Sequence, residues 1–170
     1  MDKGIESSQV VLEIQESQLL DDSGQASQNI HDLSTLGFEI LVDDFGTGYS
    51  SLSYLSKYPI DGIKVDRIFV RDAQSKPENR VLIRSIVAMA GALDMKVVIE
   101  GVETIEQLKL VSELGCHLVQ GFVFTTPMRE KQATKFLKDD GHISVLAELE
   151  HLNGLPIPCL LYTSPSPRDS

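Results

Sequence analysis

Polar side chains follow several short apolar runs of this sequence. The runs and the residues that follow them are 10–12 with Glu13, 40–42 with Asp43 and Asp44, 97–99 with Glu100, and 118–119 with Gln120. Lys64 and Asp66 alternate within a further run that begins at Ile60, so we expect both to point to one face. Carboxylates brought together bind hard divalent cations, and a lysine among them supplies a charge partner. The pattern predicts a cation site.

Each of these residues also has a plainer interpretation. A single acid after a strand is often only the N-cap of the next helix. Glu103 stands three residues after Glu100 at a predicted helix start, where the helix dipole favours acids in any case. Asp43 and Asp44 are harder to explain in this way, because adjacent carboxylates repel unless a cation or a donor neutralises them. Lys64 is also unusual, since lysines are uncommon inside apolar strands.

Predicted strands and helices alternate along the chain. We expect strands at 10–12, 40–42, 60–65, 97–99, 117–119 and 122–124, and helices at 25–36, 50–56, 77–93, 104–114 and 130–137. The apolar face of the 77–93 helix is predicted to comprise Val81, Leu82, Ile86, Met89 and Ala90. Such alternation is typical of βαβ units around a parallel sheet. In an α/β barrel the carboxyl ends of all strands open onto one face, where active sites lie.

Composition excludes several classes of protein. The chain has 170 residues, is 42% hydrophobic and carries a net charge of −10, which argues against DNA or RNA as a partner. A phosphate substrate remains open, because bound divalent cations reverse the local sign of charge. No apolar stretch approaches the roughly 20 residues of a membrane helix, and no signal peptide begins the sequence. We therefore expect a cytoplasmic chain without a membrane segment.

The end of the chain differs in composition from the rest. Residues 159–170 are rich in Pro and Ser and resemble the in-frame translation of a transposase-type sequencing adapter, although a natural flexible tail is the alternative. Residues 139–158 are interpreted as a C-terminal extension with a short helix at 143–152. The domain itself is therefore expected to end near residue 138.

Five ordered sequence blocks resemble the signatures of the EAL-domain cyclic di-GMP phosphodiesterases. The blocks are 12–17 (LEIQES), 43–52 (DDFGTGYSSL), 64–70 (KVDRIFV), 100–104 (EGVET) and 120–122 (QGF). The likeness runs from about residue 10 to residue 137. It implies a barrel of the triosephosphate isomerase type with one strand reversed. It also implies hydrolysis of cyclic di-GMP to linear pGpG with two Mg²⁺ or Mn²⁺ ions.

The resemblance implies a role for each matching residue. Glu13 and Asp43 would ligate metal, with Asp43 bridging the two ions, and Asp44 would serve the second metal or the water between them. Lys64 would hold the nucleophilic water or stabilise charge on the phosphate. Glu100 would belong to an acidic wall on the side of the second metal.

Other matching residues would support this centre. Glu103 would extend the acidic wall, Gln120 would support that network, and Asp66 is assigned to substrate binding or support. Glu16 would anchor the loop that follows the DDFGTG block. The residues of this loop, implied to contact both the metal site and the interface of a homodimer, are Phe45, Gly46, Thr47, Gly48, Tyr49 and Ser50.

The sequence also departs from the family pattern. The Glu-Ala-Leu block that gives the family its name is missing, because Ala147-Glu148-Leu149 lies far beyond the domain. A metal-binding Asn of the next unit is missing as well. We therefore expect an incomplete TIM-like barrel that lacks about two N-terminal βα units, or roughly sixty residues. The expected function is phosphodiesterase activity in the full-length parent, with this fragment inactive alone; a catalytically silent cyclic di-GMP sensor is the alternative.

Overall fold

The computed structural model describes residues 4–19, 24–47, 53–116 and 118–138. In this part of the chain, five strands form one sheet in which each strand is parallel to its neighbours. In the order of both chain and sheet they are β1 (Val11–Gln15), β2 (Glu39–Phe45), β3 (Gly62–Val65), β4 (Lys96–Ile99) and β5 (Leu118–Val119). The predicted parallel α/β fold is confirmed, and the reversed strand of the expected barrel is not among these five.

Helices connect successive strands, and one more helix follows β5. They are α1 (Glu16–Leu19), α2 (Gly24–Thr35), α3 (Ser53–Lys57), α4 (Arg67–Asp72), α5 (Pro77–Ala92), α6 (Ile105–Glu113) and α7 (Glu130–Lys138). The helices expected at 25–36, 77–93, 104–114 and 130–137 are confirmed. Helix α4 was not predicted. The expected helix at 50–56 is described only from Ser53, and the expected helix at 143–152 lies outside the described residues.

Local sequence explains where α6 begins and ends. The Thr104 hydroxyl accepts a hydrogen bond from Gln107 N at 3.2 Å, while Gln107 Oε1 accepts one from Thr104 N. This reciprocal pair satisfies two backbone donors that the first helical turn leaves without intrahelical partners. Gly115 ends the helix with φ of +88°, a conformation that favours glycine. The two ends of α6 are therefore well defined, and the helix directly follows the loop that carries Glu100 and Glu103.

The central strands of the sheet are buried on both faces. Ile40, Leu41 and Val42 are consecutive and all buried, as are Ile63 and Val65 on the next strand. Continuous apolar runs of this kind are typical of parallel strands covered by helices. A polar side chain within such a strand therefore needs a partner.

The apolar face expected for α5 is partly wrong. Val81 and Leu82 are exposed, whereas Ile83 is fully buried. The side that contacts the core contains Ile83, Ile86, Val87 and Ala90, at the spacing of one helical face. The sequence offered two overlapping apolar stripes, and the stripe that begins two residues later is the one that packs.

The amino ends of the strands are fixed by polar contacts away from the expected site. Asp61 Oδ2 accepts a hydrogen bond from Ile40 N at 2.8 Å, and Asp61 O accepts one from Lys96 N. Lys96 Nζ also lies 2.9 Å from both carboxylate oxygens of Glu39. These contacts set the register of three strands at their amino ends. The candidate site lies at the opposite, carboxyl ends of the same strands.

The strand expected at 122–124 is wrong. Residues 121–124 form a turn, in which Phe124 N donates to Gly121 O, Phe122 is exposed and Phe124 is buried. The apolar pattern of this segment reflects the burial of one aromatic ring and does not reflect strand pairing.

Candidate active site

The Lys64 ammonium lies among three carboxylates at the carboxyl end of the sheet. Its Nζ is 2.9 Å from Glu13 Oε1, 2.5 Å from Glu100 Oε1 and 3.5 Å from Asp43 Oδ1. The three acids come from β1, from β2 and from the residue that follows β4, so the parallel sheet brings distant parts of the sequence together. The predicted meeting of carboxylates with a lysine charge partner is observed.

The environment of Lys64 keeps its side chain charged. Burial by itself lowers the pKa of the ammonium, since only 4% of the residue is exposed. Hydrogen bonds and charge interactions with Glu100 and Glu13 outweigh that effect and raise the pKa of Lys64 above its usual value. The lysine is therefore a fixed positive charge inside an acidic cluster.

Glu100 shows that one ammonium does not neutralise this cluster. Burial raises the pKa of Glu100, the ion pair with Lys64 acts against that rise, and the charges of Asp43 and Glu13 add to it. The net pKa shift is upward in spite of the nearby lysine. Three carboxylates around one ammonium leave an excess of negative charge, which favours binding of cations.

A β-bulge places the two adjacent aspartates. Val42 pairs with Ile63 and Phe45 with Val65, so Asp43 and Asp44 on β2 together oppose the single residue Lys64 on β3. Asp44 has φ of +59°, a left-handed conformation that Asp tolerates better than most residues. Bulges often re-aim side chains beside active sites. Simple alternation would send adjacent strand residues to opposite faces of the sheet, and the bulge breaks that alternation.

The positions expected for Glu13, Asp43 and Asp44 relative to their strands need correction. Glu13 is the central residue of β1, and Asp43 and Asp44 lie inside β2; these acids do not follow their strands. Glu100 and Gln120 do follow β4 and β5, as expected. The short apolar runs underestimated strand length because a strand tolerates an acid where that acid has a cationic partner.

Two buried oxygen atoms at the carboxyl end of the sheet, which forms the mouth of the candidate site, accept no hydrogen bond. Among the described residues, Asp43 Oδ1 and Gln120 Oε1 are buried without a hydrogen-bond partner, although Lys64 lies 3.5 Å from the former. Buried acceptors of this kind call for an explanation such as an ion or a water. An all-oxygen set of donors suits Mg²⁺ or Mn²⁺. The donor chemistry therefore fits the implied cations.

The described residues do not form a complete metal cage. No group of three His, Cys, Asp or Glu side chains in the described part of the chain is arranged to hold a metal ion by itself. Lys64 occupies the position between Glu13, Asp43 and Glu100. These residues fit as part of a cation shell, to which further oxygen ligands must contribute.

Glu16 connects the start of α1 to the loop after β2. Its Oε2 accepts a hydrogen bond from Gly46 N at 3.1 Å, and its Oε1 accepts one from the Tyr54 hydroxyl at 2.9 Å. Glu16 and Tyr54 are each 4% exposed. The carboxylate therefore ties together the two ends of segment 46–54. Sequence reasoning missed Tyr54, because nothing marks one aromatic residue of a short helix as a partner for a distant acid.

Tyr54→Phe should reduce stability and flatten its alkaline dependence. Burial and the hydrogen bond to Glu16 raise the pKa of Tyr54, so the neutral phenol stabilises the fold below the usual tyrosine pKa of about 10 and that stability is lost as the pH rises above it. Losing the donor should cost about 1–3 kcal/mol because it removes a hydrogen bond to a buried carboxylate. Urea unfolding between pH 8 and pH 11 measures both effects.

Tyr58→Phe is the matched control, since Tyr58 is also buried in the same apolar cluster. An equal loss of stability in both variants, with the same alkaline slope, would contradict a specific role for the bond between Tyr54 and Glu16.

The structure places the other predicted site residues in different local environments. Asp66 follows β3 and caps α4, with its Oδ1 accepting from Ile68 N at 2.8 Å, so its expected alternation with Lys64 inside one strand is wrong. Glu103 is exposed at the start of the α6 capping box. Phe45 is buried, and Thr47 donates to Asp44 O through both its N–H and its hydroxyl. Gly48, Tyr49 and Ser50 lie outside the described residues.

The parallel sheet and the acidic mouth define an α/β protein of TIM-like barrel type with a candidate centre for cation-assisted chemistry. A family model described as the EAL domain matches residues 1–127. The chain belongs to this family.

Relatives and solved structures agree with this assignment. The chain is 44% identical over 117 residues to the cyclic di-GMP phosphodiesterase PdeR of Escherichia coli K12, an alignment that covers 69% of this chain and 18% of PdeR. It also resembles the structure of the Pseudomonas aeruginosa MucR phosphodiesterase in complex with cyclic di-GMP, with a TM-score of 0.72 and 38% identity. That match covers 76% of this chain and 53% of the MucR chain.

A second solved structure holds a metal. Klebsiella pneumoniae BlrP1, in a complex with manganese and cyclic di-GMP, superposes with a TM-score of 0.67 at 36% identity, over 71% of this chain and 31% of the BlrP1 chain. The chain thus spans less than two thirds of each of these three proteins. Among the described residues, no helix combines the length and the apolar character needed to cross a bilayer.

Proposed function

We propose that this chain is the catalytic portion of a phosphodiesterase that hydrolyses cyclic di-GMP to linear pGpG with two Mg²⁺ or Mn²⁺ ions. The observation that carries the proposal is the meeting of Glu13, Asp43 and Glu100 around Lys64 at the carboxyl end of a parallel sheet. The substrate is proposed from the relatives that are named as cyclic di-GMP phosphodiesterases. The structure of MucR with cyclic di-GMP supports the same substrate, and that of BlrP1 with manganese and cyclic di-GMP supports a divalent cation.

The acids would hold the cations in this scheme. Glu13 and Asp43 would ligate the metal ions, with Asp43 as the ligand common to both, and Asp44 would serve the second ion or the water beside it. Two bound cations neutralise a phosphodiester and lower the pKa of a bound water. Because of the bulge, two adjacent aspartates would both contribute to the same site at the carboxyl end of the sheet.

The remaining residues would position water and substrate. Lys64 orients the attacking water or stabilises negative charge that develops on the phosphate, because a fixed ammonium in a buried site needs no reorganisation during the reaction. Glu100 and Glu103 would complete the acidic wall on the side of the second metal, Gln120 would support that network, and Asp66 would support the substrate side. Glu16 holds the segment after β2, whose outer part would contribute to a homodimer interface in the cytoplasm.

Product analysis on a complete EAL domain that contains this chain tests the proposal. Release of pGpG is expected with Mg²⁺ or Mn²⁺, and Ca²⁺ should inhibit because its looser coordination tolerates geometries unsuited to in-line attack. A domain that binds cyclic di-GMP but cleaves it with neither metal would show that the site is a sensor.

We expect residues 1–170 alone to be inactive and to aggregate or exchange strands. In the described sheet, β1 and β5 each pair on one side only, and a barrel must close to remove such edges. The cation shell is also incomplete among the described residues. Size-exclusion chromatography and a thermal melt, with and without Mn²⁺, provide the test. A cooperative melt from a monomeric peak would mean that the sheet closes in another way.

A further inference from the structure

We propose that Gly121 is a positioning residue that locks the turn carrying Gln120 to the loop carrying Glu100. This inference rests on the proposed function, and it assigns a role to a residue that carries no chemistry of its own. Gly121 directly follows Gln120, at the carboxyl end of β5.

Backbone hydrogen bonds join the two loops through Val102. Val102 N donates to Gln120 O at 3.1 Å, and Val102 O accepts from Val123 N at 3.0 Å. Both polar groups of one residue are thus used by the neighbouring turn, which spans Gly121. Val102 is fully buried. The contact is therefore a short backbone pairing beyond the end of the strands.

The pairing is close enough to require glycine at position 121. A Cβ atom built there would lie 2.1 Å from Val102 O, 2.5 Å from Val102 N and 2.6 Å from Val102 C. Every one of these atoms belongs to the backbone, so no side-chain rotation relieves the overlap. The two loops would have to separate by about 1 Å to reach ordinary contact distances.

That separation would displace residues of the candidate site on both loops. Gln120, with its buried Oε1, is adjacent to the pairing on one loop, and Glu100 lies two residues before Val102 on the other. The Glu100 amide also donates to Val65 O at 3.0 Å, next to Lys64. A displacement of about 1 Å in such a site typically costs on the order of a hundredfold in rate.

Native-state hydrogen exchange on the wild-type protein tests whether the loops form one unit. If they do, the amides of Glu100, Val102 and Val123 should share one opening free energy with the same dependence on urea. An opening free energy of Glu100 that is independent of the other two overturns the proposal. This measurement needs neither metal nor turnover, so it stands apart from the outcome for the proposed function.

Gly121→Ala tests the consequence, with Gly115→Ala as the matched control at the other end of β5. Gly115 has φ of +88°, and an added Cβ would lie at an ordinary contact distance of 3.7 Å from its nearest neighbour, Val87 Cγ1, so alanine there should cost stability without moving the candidate site. Well below the melting temperature, Gly121→Ala should exchange the Glu100 amide at least about tenfold faster, bind Mn²⁺ at least about tenfold more weakly and lower kcat more than KM is changed. The control should leave all three at wild-type values.

A Gly121→Ala variant that melts earlier but keeps wild-type exchange at Glu100 would show that Gly121 acts on stability alone, and this would overturn the proposal. If that variant does not fold, the wild-type exchange experiment decides. A wild-type domain that hydrolyses nothing would refute the proposed function and leave the exchange result to judge the positioning role.

Discussion

Asp43→Asn is expected to lower kcat/KM for cyclic di-GMP by roughly 10³-fold or more in a complete domain, because cooperating catalytic groups show losses of this size. Asn keeps the shape of the side chain and removes its charge. Asp43 Oδ1 is buried without a hydrogen-bond partner, which suits it to contact a cation, and it lies 3.5 Å from Lys64 Nζ. If Asp43 is shared by two cations, the variant should also bind at least one Mn²⁺ fewer, which calorimetric titration measures.

Asp44→Asn is the matched control, and its loss should be much smaller. Asp44 has φ of +59°, and Asn tolerates this left-handed conformation as well as Asp does, so the substitution leaves the bulge unstrained. The pair of variants therefore compares the two charges at constant backbone geometry. Equal and modest losses in both would mean that the bridging role is misassigned.

The bulge also marks the limit of what the sequence predicts about this site. Adjacent carboxylates at Asp43 and Asp44 indicated a cation or a donor, and the Lys64 ammonium is such a positive charge, 3.5 Å from Asp43 Oδ1. The sequence did not indicate how two neighbouring residues of one strand would both oppose Lys64. That arrangement depends on the register between β2 and β3, which pairing between strands determines and local propensity does not.

Elements with strong local signals were predicted well. The capping box at Thr104, Pro77 at the start of α5 and the glycines at the ends of α2 and α6 are local features, and these helices are confirmed. The strand expected at 122–124 failed because an apolar run does not distinguish a strand from a turn that buries one ring. The part played by Val102 was invisible in the sequence, since it comes from backbone atoms and close approach.

Lys64→Met should abolish most activity and also make the stability of the protein depend on metal. Methionine retains an apolar stem of similar length inside the buried strand β3 but removes the charge that Glu13 and Glu100 contact. Breaking a buried ion pair by removing one partner typically costs about 3–5 kcal/mol, because the remaining charges are left uncompensated. The partners here are about a quarter exposed, so a value near or below the lower end, about 3 kcal/mol, is expected in EDTA.

Mn²⁺ should restore much of that stability, since a cation replaces the lost positive charge among the acids. Acid should do so as well. Burial already raises the pKa of Glu100 with the lysine present, and the pKa should rise further in the variant. A carboxyl whose folded pKa is raised destabilises the fold at higher pH and less so as the pH falls, so the difference from wild type should shrink between pH 8 and pH 5.

Lys96→Met provides the comparison that makes this interpretation specific. Lys96 Nζ pairs with both oxygens of Glu39, but its side chain is 54% exposed and the pair lies at the amino end of the sheet. An exposed pair of this kind contributes at most about 1 kcal/mol, with no reason for recovery by Mn²⁺. Urea unfolding of both variants in EDTA and in Mn²⁺, at pH 5 and pH 8, separates the two cases. A Lys64→Met protein whose stability loss is the same in EDTA and in Mn²⁺ would contradict the view that Lys64 and the metal ions neutralise the same carboxylates.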